Sequence, residues 1–111
     1  MRVIAEYDPD QATPLLRFFI HGAPHRRSHQ AVLKQYRRAL WDAGREAQIP
    51  APLVNNVELS ATVISPTSRP DLDNLLTALF QALDGKCGQG PTLVADDRQI
   101  VFVKNLALMF P

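Results

Sequence analysis

The clearest pattern in the chain is the run of apolar positions Leu72, Leu75, Leu76, Leu79, Phe80 and Leu83. Steps of three and four place them on one face of a helix over Leu72–Leu83, with Gly85 as its C-terminal stop. A second stripe joins Val32, Leu33, Tyr36, Ala39, Leu40, Ala43 and Ala47, so a helix is expected from His29 to about Gln48. Ser28 is its expected N-cap, and the prolines of "IPAP" end it. Elsewhere the apolar period drops to two. Val57, Leu59, Ala61 and Val63 alternate within Val54–Ser65, which reads as a strand closed by Pro66. Met1–Tyr7, Leu15–His21 and Ile100–Phe110 read as three more strands, the first ended by the Asp8–Pro9 turn signal. "GKCGQGPTLVADD" reads as a glycine-rich loop. The order strand, strand, helix, strand, helix, strand describes one α+β domain over residues 1–111.

Composition narrows the class without naming a function. The 111 residues are 46 % apolar and 21 % charged, ordinary values for a globular domain with a small core. No apolar run is long enough to cross a bilayer, and "MRVIAEYDPD" turns acidic too early for a signal peptide. Cys87 is the single cysteine, which excludes an internal disulfide and fits a reducing, cytoplasmic setting. His21, His25 and His29 recur every fourth residue, but Gly22 and Pro24 break any helix that would align them on zinc. The net charge of +1 is unevenly spread: residues 16–47 carry +5, and the segments before and after carry −2 each. A basic segment beside an acidic one suits a polyanion held near a cation site, although solvated helices share that look.

The acidic residues fall in two tight pairs. Asp71 and Asp73 follow Arg69 and Pro70 at the expected start of the second helix. One reading is structural: Asp71 caps the helix and Asp73 complements its dipole. The other is chemical, because a non-helical cap residue and a first-turn residue can converge on one ion. Asp96 and Asp97 precede the last strand, where aspartates also serve turns. Carboxylates gathered in one cleft repel, and a hard divalent cation relieves that repulsion. Magnesium with carboxylate, water and phosphate ligands is a common arrangement for phosphodiester cleavage.

"RPDLDNLLTALFQALDG", followed after a loop by "DDRQIVFV", resembles the RusA family of Holliday junction resolvases. Arg69, Asp71, Asp73, Asn74 and Leu75 match its R-x-D-x-D-N-L block, Ala82 and Leu83 its helix, and Asp96, Asp97 and Gln99 its D-D-x-Q block. "FFIHGAP" is similar to the family's opening strand and turn. The firm match spans about 40 residues. The resemblance implies a small mixed sheet with two helices in an intertwined homodimer, typically of phage or prophage origin. It implies magnesium-dependent cleavage of four-way DNA junctions in recombination and repair, with manganese as an alternative ion. Asp71, Asp73 and Asp97 would be the catalytic, metal-binding carboxylates, Asp96 a neighbouring ligand and Asn74 a supporting residue. Three departures stand out. Thr77 occupies the position of the lysine that the family needs for cleavage. The loop from Gly85 to Ala95 is longer than usual, with Val94 where an aromatic is common. The chain also ends one strand early, leaving a sheet edge that Met1–Tyr7 is free to fill.

The basic residues complete the expectation. Arg26, Arg27, Lys34, Arg37, Arg38 and Arg69 are candidate DNA contacts, those in the "HRRSH" loop being well placed beside a helix start. Lys34, Arg37, Arg38, Trp41 and Arg45 are expected on one polar face of the first helix, either gripping DNA or facing solvent, with Trp41 then at a dimer interface. Two alternatives remain. The chain is a junction-binding protein whose catalysis went with the lysine at Thr77, or a structural protein whose aspartates only cap.

Overall fold

The computed structural model describes residues 1–24, 28–65, 72–85 and 90–109, with residues 72 and 73 in backbone only. Strands β1 (Arg2–Asp8) and β2 (Leu15–His21) are followed by helix α1 (His29–Glu46) and strand β3 (Val57–Ile64). Helix α2 (Leu72–Leu83), a 3-10 turn over Asp97–Gln99 and strand β4 (Ile100–Met109) complete the order. The four strands form one mixed sheet in the order β1-β2-β3-β4. β1 pairs antiparallel with β2, whereas β2–β3 and β3–β4 are parallel. Each parallel step requires a crossover, and the two helices supply them.

Both helices cover the same sheet face. Leu16, Phe18 and Ile20 of β2 and Val57, Leu59, Ala61 and Val63 of β3 point into the core beneath them. Leu40 and Ala43 of α1 and Leu75, Leu79 and Leu83 of α2 close it from above. The α2 stripe is the one its periodicity predicts, with Leu76 and Phe80 partly buried at the margins. The α1 stripe departs from expectation at its C-terminal end. Ala47 is exposed, and Gly44 is buried with Leu93 packed on its bare backbone. Ser28 caps α1 as expected, its Oγ accepting the Ala31 N–H at 3.1 Å. The helix ends through Gln48, which takes a left-handed backbone at φ 59°.

Three expectations are corrected. Arg37 is not on the solvent face of α1: it is 6 % exposed, and its Nη2 donates to the Gln81 carbonyl in the last turn of α2 at 3.2 Å. α2 lies over that flank of α1, so a residue read as a phosphate contact joins the two helices instead. The loop after Gly90 is not wholly pliable surface, since its Leu93 and Val94 are 1 % and 0 % exposed. Finally, β1 fills the edge beside β2. The outer edge of β4 carries no strand among the described residues.

The sheet face turned away from the helices is partly apolar. Ile4, Phe19, Thr62 and Ala107 lie in one cross-strand row, and Ile64 and Met109 lie in the next. On β4, Val101, Phe102 and Val103 are also exposed.

Arg37→Ala is expected to cost about 2–3 kcal/mol in chemical denaturation, because it removes a buried stem and leaves a helix-end carbonyl short of a donor. Lys34→Ala, on the exposed flank, is expected to change stability by less than about 0.5 kcal/mol.

Candidate metal centre

The chain places a carboxylate cluster where α2 ends and β4 begins. One carboxylate oxygen from each of Asp84, Asp96 and Asp97 lies within 4.8 Å of the others. Asp84 directly follows the last residue of α2 and is only 7 % exposed. This is an unfavourable place for a negative charge. The C-terminal end of a helix already carries partial negative charge from its last carbonyls.

The segment 92–95 forces the proximity. Asp84 and Leu53 each form an isolated parallel bridge with Val94. The Gly85 N–H donates to the Val94 carbonyl at 3.1 Å, and the Ala95 N–H donates to the Leu53 carbonyl at 3.1 Å. A Cβ on Gly85 would stand 2.7 Å from the Ala95 oxygen and 3.0 Å from the Val94 oxygen. Those are backbone atoms that cannot yield. Gly85 is therefore more than a helix stop, because only a bare Cα lets the end of α2 reach the segment that leads into Asp96.

Asp96 and Asp97 are set by a capping box. The Asp96 carboxylate accepts the Arg98 N–H at 2.9 Å, and the Gln99 Oε1 accepts the Asp96 N–H at 2.8 Å. Gln99 also donates to the carbonyls of Leu53 and Asn55, at 2.9 and 2.8 Å, tying the turn to the chain ahead of β3. The Asp97 N–H in turn donates to Asp84 Oδ1 at 3.3 Å. The Arg98 guanidinium reaches the Asp96 carboxylate at 2.8 Å, and that contact raises the arginine pKa above its usual value. The Arg98 side chain is 82 % exposed, so this ion pair adds little stability and leaves the guanidinium able to turn toward another anion.

Three carboxylates and a helix C-terminus make a locus of concentrated negative charge, and the cluster can hold a divalent cation. Opposed oxygens on a cation with bonds of about 2.1 Å stand about 4.2 Å apart. The 4.8 Å span is wider than this by an amount that small side-chain rotations close.

The expected site residues are distributed unevenly. Asp96 and Asp97 come together as expected, and Asp84, not singled out from the sequence, joins them. Its signal was its position: an acidic residue at the wrong end of a helix dipole needs compensation. Asp73 lies in the first turn of α2, so eleven residues and about 16 Å of helix axis separate it from Asp84. The Asp73 side chain lies outside the described residues, so the expected set of Asp71, Asp73 and Asp97 is placed only at Asp97. Asp71, Arg26, Arg27 and Arg69 lie outside the described residues, as do Lys86 and Cys87. Asn74 and Thr77 are exposed in the first half of α2. On α1, Lys34 and Arg38 are exposed; Arg38 pairs with Asp42 at 3.8 Å, and the Arg45 guanidinium sits 5.9 Å from the Trp41 ring centre.

Comparison of the chain with protein-family models, with curated proteins and with solved structures finds no match in any of the three. The chemistry of the site must be argued from its own residues.

Two results test the cluster. Asp97→Asn is expected to raise the melting temperature of the metal-free protein, by relieving like-charge repulsion, and to abolish the further rise that Mn2+ gives the unmodified protein. A purely structural Asp97 would show neither effect. Gly85→Ala is expected to cost about 1–3 kcal/mol and to weaken Mn2+ uptake together with stability, because its Cβ separates Asp84 from its partners.

Proposed function

We propose that the protein is a metal-dependent endonuclease acting on branched DNA, of the Holliday junction resolvase type. The carrying observation is the convergence of Asp84, Asp96 and Asp97 within 4.8 Å at the end of α2. A Mg2+ or Mn2+ ion there would polarise the scissile phosphate and supply a bound hydroxide as nucleophile. Asp84 and Asp97 would be its principal ligands, since Asp96 is shared with Arg98. The exposed Lys34 and Arg38 of α1 would neutralise backbone phosphates, as would Arg26, Arg27 and Arg69. The D-x-D-N-L and D-D-x-Q blocks support the choice of branched DNA, through their resemblance to RusA resolvases.

A homodimer belongs to the same proposal. β4 leaves an edge with exposed Val101, Phe102 and Val103, which suits a second copy. The 12-residue length of α2 gives the dimer a further role. In this proposal Asp71 and Asp73 of one protomer would complete the Asp84 cluster of the other. Mixing Asp73→Asn and Asp97→Asn protomers tests this. Shared sites leave one intact site in each mixed dimer, so nicking is expected to recover to about a quarter of the unmodified rate on random pairing. Sites confined to single chains would recover nothing.

Junction cleavage in Mg2+ tests the activity itself. Asp97→Asn and Asp84→Asn are each expected to lower the rate at least about 100-fold, equivalent to about 2.7 kcal/mol of transition-state stabilisation. Unchanged rates would sink the assignment. The second reading, a junction-binding protein without catalysis, is favoured by one observation: Thr77, exposed on α2, stands where the resemblance requires a lysine. That reading expects tight junction binding, no products, and cleavage gained on Thr77→Lys.

A further inference from the structure

A cavity of about 480 Å3 opens between the N-terminal halves of α1 and α2, at the end of the sheet opposite the carboxylate cluster. Its volume lies within the range of roughly 300–1,000 Å3 typical of small-molecule sites. Val32 and Leu33 of α1, Leu75 and Ala78 of α2, and Val63 and Leu108 of the sheet give it aliphatic walls. Val63 and Leu75 are buried and form its floor, whereas Ser28, His29, Asn74 and Thr77 are exposed and lie at its rim.

The polar groups of the lining are largely committed already. The Ser28 Oγ accepts the Ala31 N–H as the cap of α1. Tyr36, Ser65, Asn74 and Thr77 are each engaged by other groups of the chain. A ligand therefore gains little from hydrogen bonds at the floor and most from the aliphatic walls. Water there has few open partners and is held weakly, so an apolar group displaces it at a gain. Charge narrows the choice further. The helix starts carry partial positive charge, but Asp71 and Asp73 stand at the start of α2 in the sequence and oppose it. An anion finds no net attraction there and loses hydration beside the aliphatic walls.

We infer that this cavity takes an uncharged, mainly aliphatic molecule, with its apolar body against Val63 and Leu75 and its polar end at the rim. The space suits a body of on the order of ten non-hydrogen atoms. Such a site needs neither metal nor DNA, so it stands or falls independently of the proposed nuclease activity. Both helices wall it, so the bound molecule adds contacts that only the folded chain offers and stabilises that state by mass action.

Methyl NMR of the unmodified protein with chelator present tests this, with octanol as the probe. Octanol is expected to shift the methyl signals of Val32, Leu33, Val63, Leu75 and Leu108 in one saturable transition and to raise the melting temperature. The methyls of Ile4 and Val101, exposed on the sheet, should stay in place. Octanoate, of the same chain length, should bind at least about threefold more weakly, and glycerol should leave every one of these signals unmoved. Ala78→Leu, which fills the cavity, should weaken octanol binding at least about tenfold at an unchanged fold. If that variant does not fold, the shifts of the unmodified protein decide the question. Silent cavity methyls, equal shifts at Ile4 and Val101, or octanoate binding as tightly as octanol would overturn the inference.

Discussion

The approach of Gly85 to the backbone of Val94 and Ala95 is the contact on which the carboxylate end of the molecule depends. It requires a residue without a Cβ, since any other side chain would overlap two carbonyl oxygens. Through it the segment 92–95 is held between the end of α2 and Leu53, with Leu93 driven into the core against Gly44. The same segment delivers Asp96 and Asp97 to Asp84. Burial of Leu93 and Val94 supplies the driving force, on the order of 1.5–3 kcal/mol for each side chain. The charge repulsion that results is what that burial has to outweigh.

Seen electrostatically, the two ends of the helical layer differ. At the ends of α2 and of the 92–95 segment, three carboxylates meet the negative pole of a helix. At the opposite end the positive poles of α1 and α2 flank a cavity with apolar walls. A cation suits the first. The length of α2 sets the spacing between these two ends, so changing the helix by one residue would alter both their separation and the phase of every buried leucine on it.

Periodicity made much of this fold legible. The bounds of β2 and α2 are those the pattern predicts, because nothing competes with the alternation in one or the leucine stripe in the other. The Ser28 cap was legible for the same local reason. What escaped depends on partners distant in sequence. Arg37 sits on what looks like the polar arc of α1, and only the packing of α2 buries it. Leu93 and Val94 are too few, and too closely flanked by glycine and proline, to show a period, yet long-range bridges make them core. Of the site, the D-D-x-Q block was visible, and the structure supplies its physical sense as a capping box in which Gln99 braces the turn. Asp84 carried no motif. It was readable only as a charge in an electrostatically adverse place, and its partners lie across a loop whose course the sequence does not encode locally.

The most direct test is the anomalous scattering of Mn2+ soaked into crystals of the unmodified protein. The account expects one strong peak per protomer, bounded by carboxylate oxygens of Asp84 and Asp97 at about 2.1–2.2 Å, with Asp96 or water completing the shell. A peak at the start of α2 with none near Asp84, or no bound Mn2+ at all, would contradict it.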